Sequence, residues 1–534
     1  MTEEPRLGSA SPEPDPTRPG SAPPEADQTR PYATPGAFPS VDGTAPPPAP
    51  RRGAAIPLVL AAVAVLVVLA VGLLLFLPRG GAPSASGSVR PSGIAAGSPS
   101  PSGDPSTPTP GSSAAVPTTP TPSGTAVPAP STSSGPAPSG DLAVDPAVEA
   151  RIREIIEQVP AIRGLEARQD VPFRFITAAR FEEELRGLFA AENPAAEVSA
   201  EEDLLKRLGL LGPEADLEEL VLDLYGSQVA AFYDTRTASF TVVQRGEGSE
   251  FGSSDALVVA HEYVHALQDQ HFVLEGTQVT DPAEGDQALG VLGLIEGDAV
   301  AVMVDWAIAN LSFEEILGLQ DAVTPADQEL LESMPPVLRR QLEFPYIDGW
   351  AFVTAVRAGG GYAAVDAAFA DRPASTEQIM HPEKYIDREE PIIVRLPGVV
   401  AALGSGWAES YEQTLGEMLI GVLVADGDSA AARSVPGVLP ALPNAAAAAG
   451  WGGDRLVSVD GPEGTWAVVW QTAWDSATDA DEFSAAAEAA MEDLPFPHEI
   501  VATAVVDQLD SPVLVIVASD EETLEQVGTA LPSD

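Results

Sequence analysis

Residues 56–77 read IPLVLAAVAVLVVLAVGLLLFL, an uncharged apolar run with no polar face. As a helix it would be about 33 Å long, enough to cross the hydrocarbon core of a bilayer. A buried helix of a soluble domain would keep a polar side. A cleavable signal sequence would have a shorter apolar stretch nearer the start of the chain. The run therefore predicts one transmembrane helix over 54–78. Arg51 and Arg52 precede it and Arg79 follows. That bias favours a cytoplasmic N-terminus, with the bulk of the chain outside the cell membrane.

Composition on either side of the run works against packing. Of the 52 prolines, 30 lie in the first 140 residues, among Ser, Thr, Gly and Ala. Such segments bury too little apolar surface to offset the entropy of ordering. Residues 1–53 are predicted to be a disordered Pro-rich cytoplasmic tail. Residues 79–140 are predicted to be a disordered Pro/Ser/Thr/Gly linker. As a coil the linker would span roughly 45 Å and hold a domain away from the membrane.

Residues 141–534 have ordinary proline content and clear apolar periodicity. They also carry nearly all of the acidity: the whole chain has 27 Lys+Arg against 79 Asp+Glu, a formal charge of −52. A nucleic-acid partner is excluded on that ground, because phosphate contacts need Lys and Arg. There is no cysteine, which removes disulfide scaffolds, thiolate metal sites and thiol nucleophiles. A metal would have to be held by His, Asp or Glu, and there are only five histidines.

An amphipathic helix is predicted at 145–159, placed so that it could cover a cleft. A strand follows at 171–177, with Thr177 capping the next helix. Two further helices fall within 200–226, and 230–243 reads as a hairpin turning at Asp234 to Thr237. Then comes ALVVAHEYVHALQDQHF, a helix opening at Ser253 or Ser254.

Within it stands His261-Glu262-Tyr263-Val264-His265. On a helix, positions i and i+4 share a face, so both imidazoles can reach one ion. Glu262 lies about 100° round, placed to take a proton from water at the metal rather than to bind the metal. Zinc suits neutral imidazole and carboxylate ligands. Two residues compete for the third ligand position. His271 has the spacing of the metzincin pattern HExxHxxGxxH, but that pattern turns the chain with Gly at 268, where Gln268 stands. Glu296, in the apolar run LGLIEGDAVAVM, is a carboxylate among hydrophobic side chains and needs a cationic partner. Glu296 is the favoured ligand.

HEYVHALQDQ followed by LIEGDA resembles the gluzincin branch of HExxH zinc metallopeptidases, the thermolysin-like and peptidase-MA-like group, over roughly residues 228–310. The resemblance implies an α+β zincin-like catalytic domain over 141–444, mostly helical in its lower half, with a small mixed sheet. It implies His261, His265 and Glu296 as Zn2+ ligands and Glu262 as general base. The hairpin before the helix would be the edge against which an extended substrate lies. Thermolysin-like enzymes orient a histidine with an acidic residue four positions after the third ligand. That position is Val300 here, which leaves Asp298 and Asp269 as candidates. Gluzincins also use a distant His or Tyr to stabilise the oxyanion. His381 or Tyr385, in the loop-like run PASTEQIMHPEKY, is expected in that role.

The three-glycine run Gly359 to Gly361 is read as a helix break, and 407–424 as another amphipathic helix. Alternating strands and helices then predict a C-terminal α/β unit over 445–534, with His498 structural. The functional expectation is a membrane-anchored extracellular zinc-dependent peptidase acting on a peptide or protein substrate. The alternative is a non-catalytic stalked binding module with a structural metal.

Overall fold

The computed structural model describes residues 61–63, 141–244, 251–274, 282–319, 325–396, 398–425, 446–503 and 509–531. The expected tail and linker, and all but three residues of the expected membrane span, lie outside these. No helix among the described residues is long and apolar enough to cross a membrane. Strand β1 (Ala61–Val63) pairs antiparallel with the outer edge of the later hairpin, where the sequence predicts helix. Apolar residues of this kind suit an edge strand as well as a helix, and an open edge offers them backbone partners.

Helix α1 (Pro146–Arg163) starts where Asp145 accepts a hydrogen bond from the Ala147 amide and stops at Gly164, φ 79°. Strand β2 (Phe173–Thr177) runs into α2 (Ala178–Glu192), and Thr177 accepts from the Arg180 amide as expected. Helices α3 (Ala195–Arg207) and α4 (Leu217–Gln228) follow. The hairpin is β3 (Val229–Asp234) and β4 (Ser239–Gln244), in the register Ala231 opposite Val242. These strands form a mixed sheet in the order β1-β3-β4-β2, with β2 parallel to β4.

Helix α5 (Ser253–Phe272) begins one residue earlier in its cap than the sequence suggests. Gly252 is the cap residue, and its amide donates to the Asp255 carboxylate at 2.8 Å. Helix α6 (Gly285–Asn310) packs against α5, and both are buried through their central turns. After α7 (Phe313–Gly318) and α8 (Pro325–Ser333), the long α9 (Pro336–Gly360) crosses α6. At that crossing a Cβ on Gly297 would overlap the Gly349 carbonyl, and one on Gly349 would overlap the Gly293 carbonyl. Only glycines let the two backbones come this close. The crossing fixes Glu296, next to Gly297, against the helices around it.

The glycine run does break the helix: Gly361, φ 67°, separates α9 from α10 (Tyr362–Ala370). The expected loop at 373–385 instead holds two short helices, α11 (Thr376–Met380) and α12 (Pro382–Asp387). Ser375 starts the first by accepting from the Gln378 amide. A short α13 (Val399–Leu403) leads into the C-terminal sheet.

That sheet begins earlier than the expected boundary at 445. The stretch expected as one helix at 407–424 is strand β5 (Ala408–Gln413) followed by α14 (Gly416–Leu423). β5 pairs antiparallel with β6 (Trp451–Asp460), which pairs with β7 (Trp466–Trp474). Beyond lie β9 (Val513–Ala518) and β8 (His498–Val501), giving the antiparallel order β5-β6-β7-β9-β8. Period-two alternation sends Val513, Val515 and Val517 to one face and Leu514 and Ile516 to the other. The first face meets α15 (Ala477–Met491), where Trp474 stacks on Phe483 at 4.6 Å. The second meets α16 (Glu521–Ala530) through Val527. One apolar cluster runs from Phe181 through Leu294 and Phe352 to Trp470 and Val517. The helical part and the sheet therefore share a core.

Candidate metal centre

Helix α5 is buried from Ala256 to Gln268, so His261, Glu262 and His265 are carried into the interior by the apolar side chains around them. Helix α6 brings Glu296 from the opposite side. His261 Nε2 lies 3.0 Å from Glu296 Oε2 and 3.0 Å from His265 Nε2, and His265 Nε2 lies 3.3 Å from Glu296 Oε2. Nitrogen and oxygen ligands about 2.0–2.1 Å from a tetrahedral zinc stand about 3.3 Å apart. The three donors fit such an ion at one face and leave a fourth direction to other ligands. Glu262 is fully buried beside them.

The electrostatics fit a cationic occupant. Burial works against charge on every member. On His265 the neighbouring Glu296 carboxylate outweighs it and holds the imidazole well above its ordinary range. On His261 burial wins and the imidazole is pushed down. Glu296 is raised by burial but carried lower by the two imidazoles, His265 foremost. A carboxylate thus stays ionised in the interior because positive charge stands against it.

Around the cluster, His265 Nδ1 meets Gln268 Oε1 at 2.9 Å. Gln268 Nε2 donates to the Ile295 carbonyl and to Asp298 Oδ2. Asp298 forms an ion pair with Arg163 at 2.8 Å, both side chains fully buried. Two tyrosines also approach. Burial pushes the Tyr225 phenol up, and the Glu296 charge adds to this. The Tyr346 ring lies 6.1 Å from the His261 ring, centroid to centroid.

The other residues singled out in the sequence lie elsewhere. His271 Nε2 bonds to the Glu166 carbonyl at 2.8 Å, on the exposed end of α5, and does not join the cluster. Asp269 accepts from the Tyr233 hydroxyl and the Leu274 amide. Of the two candidates for second support, Asp298 therefore reaches His265, through Gln268. His381 Nε2 lies 3.0 Å from Glu417 Oε1, and the Tyr385 hydroxyl donates to the Asp371 carbonyl. Neither side chain is among the ligand atoms brought together. His498 bonds only loosely to the Phe496 carbonyl, at 3.4 Å. Gln268, Arg163, Tyr225 and Tyr346 were not picked out from sequence. For Gln268 a signal existed: it stands at i+7 from His261, on the same face, as a polar residue in a buried helix.

A family model described as a domain of unknown function, DUF8575, matches residues 405–528, which is the C-terminal sheet with its helices and begins just before β5. No curated protein and no solved structure matches the chain.

Proposed function

We infer that the chain is a zinc-dependent peptidase with a zincin-like catalytic region, held outside the cell membrane by residues 56–77. The observation that carries this is the convergence of His261 Nε2, His265 Nε2 and Glu296 Oε2 at ligand spacing, with Glu262 next to them. Three protein donors rather than four favour a catalytic over a purely structural ion. Zinc, when bound, would supply Lewis-acid polarisation of the scissile carbonyl and would acidify water at the site. Glu262 takes the proton from the attacking water and passes it to the leaving amine. Tyr225, which feels the Glu296 charge, and Tyr346, whose ring lies 6.1 Å from that of His261, join His381 and Tyr385 as candidates to stabilise the oxyanion. With residues 56–77 in the membrane, the outer edge of β3 would be free of Ala61–Val63, and an extended peptide substrate would add there in their place.

The decisive variant is Glu262→Gln. It should keep bound zinc and lower hydrolysis of a mixed peptide library by about 10²- to 10⁴-fold. Unchanged hydrolysis, or chelator-insensitive hydrolysis by the wild-type chain, would sink the reading. Anchoring is tested separately. Protease added to intact cells should remove the region beyond residue 140. Full protection would leave the pairing of 61–63 with β3 as the better account of the apolar run.

A further inference from the structure

We propose that Gln268 is a positioning residue that fixes the tautomer of His265, and that Arg163 and Asp298 fix Gln268 in turn. This rests on the reading of His265 as a metal ligand. A carboxamide has one acceptor oxygen and an NH2 group with two donors. Both donors of Gln268 are assigned by their partners, because the Ile295 carbonyl, at 2.9 Å, and the Asp298 carboxylate, at 3.0 Å, can only accept. A flipped amide would set its oxygen against two acceptors. The Gln268 oxygen therefore faces His265, and Nδ1, 2.9 Å away, carries the proton. With the proton there, the Nε2 lone pair points at the ligand cluster, as a metal ligand requires.

Arg163 holds the Asp298 carboxylate in place from its other side. The guanidinium donates to Asp298 and, at 2.7 Å, to Asp366, and lies 4.7 Å over the Tyr362 ring. The wiring thus runs from α1 through α6 to α5. Helix α1 is accordingly part of the site's support and not a removable cover. His261 has no such clamp: its buried Nδ1 has no hydrogen-bond partner among the described residues. The two histidines are held unequally, and the effect of losing Gln268 should fall on His265.

The test uses the full chain, zinc competition against a chromophoric chelator, and nitrogen-15 NMR with labelled histidine. Gln268→Met keeps the side-chain volume and removes all three hydrogen bonds. It should weaken zinc binding by about 10- to 100-fold. It should also remove the slowly exchanging His265 Nδ1–H signal even when saturated with zinc, a change that general loosening would not produce. Gln268→Glu keeps an acceptor facing His265 and should retain the Nδ1–H signal, while its second oxygen, set against the Ile295 carbonyl and Asp298, lowers stability. Wild-type affinity in Gln268→Met would overturn the proposal while leaving the zinc site intact. A zinc-loaded wild-type chain lacking a hydrogen-bonded Nδ1–H on His265 would overturn it whether or not the variant folds. A wild-type chain that binds no zinc would remove the peptidase reading and this inference together.

Discussion

Two places among the described residues gather three metal-type ligand atoms, and they are built differently. Glu377, Glu389 and Asp475 come together at the junction of the short helices with the C-terminal sheet. Lys384 Nζ sits among them at 2.6, 2.7 and 2.8 Å, so the protein supplies the cation itself. His261, His265 and Glu296 are buried more deeply, and among the described residues the ion-pair partners of Glu296 are the two histidines, with no lysine or arginine. If Gln268 holds the proton on Nδ1 of His265, that histidine turns a lone pair inward beside a carboxylate. Such an arrangement has no fixed cation, only protons on the imidazoles, and a metal ion can take their place. Proximity of acidic groups is thus a weak sign of a metal site. What separates the two clusters is whether a protein cation already answers them.

The contrast can be broken by removing the cations behind each cluster. Arg163→Met deletes the buried counter-ion of Asp298 and should cost about 3–5 kcal/mol of folding stability, measured by denaturant unfolding. Zinc affinity should fall with it. Lys384→Met should cost less, about 1–2 kcal/mol, because two of its three carboxylates are partly exposed and solvent screens them. Zinc binding should be unchanged in that variant, as calorimetry would record. A zinc defect in Lys384→Met would mean that the two clusters are one system.

The smallest effect concerns His381, which faces Glu417 of α14, Glu377 of α11 and Glu383 of α12. Its hydrogen bond to Glu417 raises the imidazole above its ordinary value despite partial burial. A raised histidine contributes stability fully below its unfolded value of about 6.5 and loses it as pH rises through the folded value. His381→Gln should therefore cost about 1 kcal/mol below pH 6.5 and progressively less above it. Turnover should be nearly unchanged. A loss of turnover with zinc retained would return His381 to the catalytic role that its sequence context suggests.

Local spacing made much of this legible. The i, i+4 pair of histidines, the Glu296 carboxylate in an apolar run, the cap at Thr177 and the Gly361 break all depend on neighbours within a few residues. What sequence did not give was set at long range. Arg163 and Asp298 meet across 135 residues, and nothing local marks either as the other's partner. Ala408–Gln413, AESYEQ, has no strong strand pattern and becomes β5 because the edge of β6 is there to pair with. Gln268 was readable only as a departure from glycine until its three partners were placed around it.

The central claim is that His261, His265 and Glu296 form a zinc site to which the described residues supply no lysine or arginine. Metal content by mass spectrometry tests it directly, on wild-type chain, His265→Ala, Glu296→Ala and Glu377→Gln purified without chelator. Zinc near one per chain in the wild type and in Glu377→Gln, with none in the other two, is the predicted result. Zinc absent from the wild type, or retained in Glu296→Ala, would contradict the claim.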